Sequence, residues 1–122
     1  MKDKDPITQK IIGCCFKVHG ELGPGFNERI YHNALMLDFK ENGLTYKAEK
    51  VYKVSYKGAS VGNFRADLIV EDNIIVELKA FAGNIPKIFE SQILSYLKAS
   101  SLKTGLLVNF GNTSCQIKRL TI

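Results

Sequence analysis

The chain has 122 residues, 45% of them hydrophobic, with 17 basic against 12 acidic side chains and a net charge of +5. That is enough apolar material for one core but not two, so a single domain over 1–122 is expected. No apolar run approaches the ~20 residues that span a bilayer, and Met1 to Asp5 is charged where a secretory signal would be apolar. A membrane partner is therefore not expected, and the positive balance favours a polyanion. Cys14, Cys15 and Cys115 match no zinc spacing and fit free thiols in a reducing, cytoplasmic setting.

Asp5-Pro6 reads as a helix cap followed by proline in the first turn. Ile7, Ile11, Cys14 or Cys15, and Val18 recur at helical spacing, giving an N-terminal helix over about 6–20 that Gly20 ends. His19 would then be a surface histidine at the helix end, and Gly20, Gly23 and Gly25 interhelical turn glycines. They lack the strand and the lysine-serine context of a phosphate loop. A second helix starts near Phe26 or Asn27, with Ile30, Ala34, Leu35, Leu37 and Phe39 on its apolar side and Asn42-Gly43 as its stop.

The middle of the chain is strand-like. Tyr46 to Tyr56, Val61 to Val70 and Ile74 to Phe81 read as three strands, turned at Lys57-Gly58-Ala59 and Glu71-Asp72-Asn73. Tyr46, Tyr52 and Tyr56 share one strand parity and are read as packing residues. Ile85-Pro86 leads into a helix to about Ser100, with Ile85, Ile88 or Phe89, Ile93, Leu94 and Leu97 as its stripe. Gly105 to Phe110 is a nearly all-apolar strand of the kind buried on both faces, and Cys115 to Ile122 an edge strand with Lys118 and Arg119. Helix, helix, three strands, helix and two strands imply a mixed sheet with helices packed against it.

Charge interrupts two of the apolar strands. Glu77 and Lys79 are two apart in Ile74 to Phe81 and so share a face. Asp67 lies inside the preceding strand. A two-residue Asp72-Asn73 loop would put Asp67 opposite Leu78, on the wrong face. A three-residue Glu71-Asp72-Asn73 loop, with Asn73 left-handed, puts Asp67 opposite Glu77. Shared facing is the expectation. Two such carboxylates repel unless a cation lies between them, and oxygen donors suit Mg²⁺ or Mn²⁺. Lys79 would then orient or help deprotonate a water attacking a phosphodiester, as a surface ion pair with Glu77 would not.

Gln92 and Tyr96 share a helix face that could look onto this hairpin, with Gln92 holding water or a phosphate oxygen and Tyr96 supporting it. Glu28 sits in the first turn of its helix, where a carboxylate is ordinary. Arg65 shares parity with Asp67, for phosphate contact or a salt bridge to a site carboxylate. Lys47, Lys50, Lys53 and Lys57 form a basic strand that could track a nucleic-acid backbone or simply protect an edge.

Glu21-Leu22-Gly23-Pro24-Gly25-Phe26-Asn27-Glu28-Arg29-Ile30-Tyr31, Arg65-Ala66-Asp67, Val76-Glu77-Leu78-Lys79-Ala80 and Gln92-Ile93-Leu94-Ser95-Tyr96-Leu97 together resemble the GxxExxY proteins, a small branch of the PD-(D/E)xK nuclease-like superfamily. The resemblance runs from about Ile11 to Arg119. It implies an α/β, restriction-endonuclease-like αβββαβ core with a mixed central sheet flanked by helices, preceded by the extra N-terminal helix. It also implies metal ligation by Asp67, Glu77 and the Leu78 carbonyl. Catalytic roles would fall to Lys79, Gln92, Glu28 and Tyr96. Arg65-Ala66-Asp67 departs from the Pro-Asp of the superfamily name, but that proline has no chemical role. The function implied is Mg²⁺- or Mn²⁺-dependent hydrolysis of nucleic acid, DNA before RNA, and small size fits a homodimer. The alternatives are a noncatalytic nucleic-acid-binding module and a protein-interaction or dimerisation domain.

Overall fold

Asp5 opens the first helix by accepting hydrogen bonds from the Ile7 amide (3.1 Å) and the Thr8 hydroxyl (2.7 Å), with Pro6 at the start where no amide is needed. The computed structural model describes residues 5–122, so the first four residues of the expected domain lie outside the described residues. Helix α1 (Pro6–Leu22) runs through Gly20, where a stop was expected, and ends at Gly23 (φ 71), whose amide donates to the His19 carbonyl at 2.8 Å. A glycine inside a helix costs only about 1 kcal/mol, less than α1 gains by burying Ile11, Cys14, Cys15 and Val18. His19 is therefore not a surface residue. It is 8% exposed, its Nε2 lies 2.7 Å from the Asn112 carbonyl, and its ring stacks on Phe110.

Helix α2 (Glu28–Glu41) is capped by Asn27, whose side chain accepts from the Ile30 amide. Its buried face is Tyr31, Leu35 and Phe39, spaced by four, with His32 beside them. Leu37 and Ile30, expected on that face, are 66% and 38% exposed. A residue two along from Leu35 is turned about 200° around the helix, which puts Leu37 outside.

Strands β1 (Tyr46–Tyr56), β2 (Ala59–Val70) and β3 (Ile74–Lys79) form an antiparallel meander. Helix α3 (Ile88–Ser100) then crosses over, so β4 (Thr104–Asn109) pairs parallel to β3, and β5 (Gln116–Thr121) closes the edge antiparallel to β4. The sheet order is β1-β2-β3-β4-β5. This is the expected mixed α/β sheet with flanking helices. The β1–β2 turn is tight, with Lys57 (φ 51) and Gly58 (φ 78) joining the paired Tyr56 and Ala59. α1 and α2 cover one face over Leu68, Val70, Ile74, Val76, Leu78, Leu106 and Val108. α3 covers the other, over Ala66, Ile69, Ile75 and Leu107. It seats closely at Gly105, where a Cβ would stand 2.6 Å from Ile93 Cγ2.

Strand parity does not carry through β1 and β2. Leu68 packs under α1 and α2, yet Ala66, two residues away, packs under α3. Tyr46 meets Phe39 on the first face and Tyr52 stacks with Phe64 on the second, while Tyr56 is 63% exposed. Pairing passes from Ala48–Leu68 to Lys50–Ala66, and Glu49, which would sit across from Asp67, has a φ of 55. Both strands thus turn over together at Glu49 and Asp67, without a slip in register. The shared parity expected of the three tyrosines fails there.

Candidate active site

The β2–β3 loop decides whether the two carboxylates meet. Val70 pairs with Ile74, so the loop is the three residues Glu71, Asp72 and Asn73. The left-handed residues are Glu71 (φ 55) and Asp72 (φ 51), rather than Asn73, whose amide donates to the Val70 carbonyl. The strain is held by partners on the β1 side. The Glu71 carboxylate accepts from the Thr45 amide and hydroxyl at 2.6 and 2.7 Å, and Lys47 pairs with Asp72 at 2.9 Å. The Thr45 bonds hold the Glu71 carboxyl below its usual range, and the Lys47 ammonium does the same for Asp72.

In that register the ladder runs Val70–Ile74, Ile69–Ile75, Leu68–Val76 and then stops. At the next step side chains replace backbone partners. The Asp67 amide donates to Glu77 Oε2 at 2.8 Å, and the Leu78 amide donates to Asp67 Oδ2 at 2.8 Å. The strands part where the charges are, and each carboxylate satisfies an amide of the opposing strand. His32, four residues after Glu28 on α2, fixes the same point from above, its Nε2 3.1 Å from the Asp67 carbonyl.

Glu77 is 4% exposed. Burial, reinforced by the Asp67 charge, pushes its carboxyl up to about 8; the Asp67 amide and Lys79 oppose this in part. Glu28, at the first position of α2, is also raised, first by desolvation of its carboxyl; Lys79 pulls it down and Asp67 pushes it up. Glu28, Asp67 and Leu78 line one small open pocket with Arg29 and His32. Lys79 shares the strand face of Glu77 and lies over the Phe89 ring, Nζ 4.0 Å from its centre. Tyr96 stacks on Phe64 at 4.0 Å, and its hydroxyl is raised by burial and then by the charges of Glu77 and Asp67. Gln92 is half-buried on the same helix, and its side-chain amide makes no hydrogen bond to the described residues.

The donor set suits a hard divalent cation. Asp67 Oδ1 and Glu77 Oε1 take no hydrogen bond from the described residues, and neither is sealed from solvent. Among the described residues no group of three His, Cys, Asp or Glu side chains converges. Two carboxylates completed by a backbone carbonyl and water match Mg²⁺ or Mn²⁺ rather than zinc. The residues therefore fit such an ion.

The basic residues are more dispersed. Arg65 is exposed and pairs with Glu49 at 3.6 Å, and Arg29 pairs with the same carboxylate at 3.1 Å. Lys50 lies over the Tyr52 ring, Lys57 over Tyr56 at the hairpin tip, and Lys53 borders α3 near Ser95 and Lys98. Arg29, His32 and Glu49 carried no role in the sequence reading. His32 was reachable by its four-residue spacing from Glu28, whereas Glu49 depends on a distortion that nothing local announces.

Tyr31 gives the Gly25–Tyr31 segment a physical account. Its ring is fully buried against Phe110, 4.5 Å between centres, and its hydroxyl donates to the Gly23 carbonyl and accepts from the Phe26 amide. Gly25 is needed for its φ of 114, not for space, since a Cβ there would meet nothing within 4 Å. The tyrosine thereby pins the turn that delivers Glu28 to the pocket.

A mixed five-strand sheet flanked by helices on both faces is a restriction-endonuclease-like α/β fold. The family model for the PD-(D/E)XK nuclease superfamily matches residues 5–120, and the chain belongs to that superfamily. Its nucleases generally use divalent metals and act on nucleic acid. Among solved structures, the crystal structure of SSO0001 is similar, with a TM-score of 0.61 at 23% identity over 76% of this chain and 48% of that one. That likeness shows the fold, and this chain spans about half the length of SSO0001. No curated protein matches the chain. Among the described residues no helix is long and apolar enough to cross a membrane.

Proposed function

We propose that this chain hydrolyses nucleic-acid phosphodiesters, DNA in preference to RNA, with Mg²⁺ or Mn²⁺, as a homodimeric member of the GxxExxY branch. The observation that carries this is the reciprocal exchange of side-chain for ladder hydrogen bonds by Asp67 and Glu77, with Lys79 on the same strand. An isolated buried carboxylate is costly, and a cation held by Asp67 and Glu77 would offset both burial and repulsion.

Asp67 and Glu77, with the Leu78 carbonyl, would hold the ion. When bound, it supplies Lewis-acid activation of the phosphoryl group and of water. Lys79, whose ammonium lies over Phe89, would offer its N–H donors to the attacking water and a nonbridging phosphate oxygen. Glu28, which lines the pocket with Asp67, would take the proton as the water oxygen bonds to phosphorus and the bond to the leaving oxygen breaks. Gln92, with its amide unengaged, orients the water, and Tyr96 holds that helix face against Phe64. Lys47, Lys50, Lys53, Lys57 and Arg65 contribute positive potential along the β1–β2 ribbon.

A panel of single-stranded, duplex and branched DNA and RNA, with each metal, tests this. The parent cleaves and Lys79→Ala loses at least about 100-fold in rate, the scale of a lost positioned donor. Equal cleavage by the two proteins contradicts the mechanism. Among the described residues no third acidic side chain converges with this pair, which favours a second reading, a noncatalytic nucleic-acid-binding module. Salt-sensitive binding without cleavage by the parent, retained in Glu77→Gln, selects it.

A further inference from the structure

Glu49 pairs with two guanidinium groups at once. Its Oε2 lies 3.1 Å from Arg29 Nη1 and its Oε1 3.6 Å from Arg65 Nη1. Arg29 comes from α2 and Arg65 from β2, so one carboxylate on β1 gathers arginines from two other elements. The guanidinium groups stay open, with side chains 56% and 64% exposed. Glu49 reaches them from a backbone with φ 55, an unfavourable conformation for a side-chain-bearing residue inside a strand. An exposed ion pair contributes too little to explain that strain.

The location gives the strain a use. Arg29 lines the pocket of Glu28, Asp67 and Leu78, and Arg65 lines a second open groove with Val51, Asn63 and Phe64 along the β1–β2 ribbon. Glu49 joins the two. A guanidinium offers several donors in a fixed plane, and each arginine here spends only part of them on the shared carboxylate. Two adjacent planar cations with one anion between them keep a net charge of +1 and an outward set of N–H groups. That arrangement matches the nonbridging oxygens of a phosphodiester.

We propose that Arg29 and Arg65, aligned by Glu49, form a clamp for a backbone phosphate of a nucleic-acid strand leaving the Asp67–Glu77 pocket along the β1–β2 ribbon. Glu49 is a positioning residue and the two arginines are the contacts. The placement beside a reacting phosphate rests on the nuclease reading; the clamp itself requires only nucleic-acid binding.

The test is binding of fluorescein-labelled 20-nucleotide single-stranded and duplex DNA in a chelator, so that no cleavage intervenes, across a salt series. Arg29→Ala and Arg65→Ala should each weaken binding about 5- to 20-fold at low salt. Each should also reduce the slope of log affinity against log salt by roughly 0.7–0.9, the value of one phosphate contact. Lys17→Ala removes the same charge from α1 and should leave the slope unchanged. Glu49→Gln separates a clamp from a general positive surface. Losing an anion tightens binding to a merely basic surface, whereas losing the alignment weakens it; circular dichroism confirms that the variant is folded. Weaker binding by Glu49→Gln with the two reduced slopes supports the clamp. Tighter binding by Glu49→Gln, unchanged slopes, or no binding by the parent overturns it. If the parent cleaves DNA while the slopes are unchanged, the clamp falls and the nuclease reading stands. If the slopes drop but the parent cleaves nothing with Mg²⁺ or Mn²⁺, the reverse holds.

Discussion

The two halves of the β2–β3 pair are built from the same strands and do opposite things. From Val70–Ile74 to Leu68–Val76 the pairing is a regular ladder flanked by fully buried apolar side chains. One step further, at Asp67 and Glu77, the ladder gives way to carboxylates bonded to backbone amides. The first half supplies stability and fixes register. The second is a place where stability is lowered so that charge can be held together. The site is positioned because the apolar half cannot slip without exchanging the side chains fitted under α1 and α2 for those fitted under α3, which would misfit both packed faces.

Truncation in the apolar half sharpens this contrast most. Leu68→Ala should lose about 2–5 kcal/mol in denaturant unfolding, the range for a large aliphatic residue removed from a closed core. A loss below about 1 kcal/mol would mean the ladder half is not the anchor described.

Glu77→Gln should act with the opposite sign. In the metal-free protein Glu77 titrates near 8, against an ordinary 4.5, so between those values the folded state binds more protons than the unfolded one. Stability therefore falls as pH rises from about 4.5 to 8 and levels off above. The glutamine can still accept the Asp67 amide bond. It should flatten the pH dependence and stabilise the metal-free protein at pH 9 by on the order of 2 kcal/mol, while removing metal binding. Unfolding curves at pH 5, 7 and 9 decide it; an unchanged pH slope contradicts the burial of that charge.

A smaller effect is expected at the turn that sets Glu28. Tyr31→Phe keeps the stacking on Phe110 but leaves the Gly23 carbonyl and the Phe26 amide without the hydroxyl, a loss of about 1–2 kcal/mol. Any fall in cleavage rate should be restored by neither metal nor salt, because the defect lies in where α2 begins.

The sequence made the element order legible because periodicity, caps and turn residues agree along the chain. Asp5-Pro6, the Asn27 cap, the Lys57-Gly58 turn and the Glu-x-Lys strand are all local signals. The sequence allowed two loop lengths that set Asp67 against different residues of β3, and the Val70–Ile74 pairing is the one that brings it across from Glu77. Gly20 misled because burial along α1 outweighs a glycine's cost. Leu37 misled because an apolar residue carries no mark of which side of a helix it will take. The overturn at Glu49 and Asp67 was illegible. Neither residue is a glycine, and the side chains that meet there, Arg29 and His32 from α2 and Arg65 from β2, are brought together only by the fold.

The central claim is that Asp67 and Glu77 make one cation site. Calorimetric titration of the parent and of Asp67→Ala with Mn²⁺ from pH 6 to 9 tests it most directly. The account predicts one site in the parent. Its affinity should rise about tenfold per pH unit up to about 8 as a proton is displaced from Glu77, and then level off; Asp67→Ala should show no such site. Binding that is absent from the parent, indifferent to pH, or retained in Asp67→Ala would contradict it.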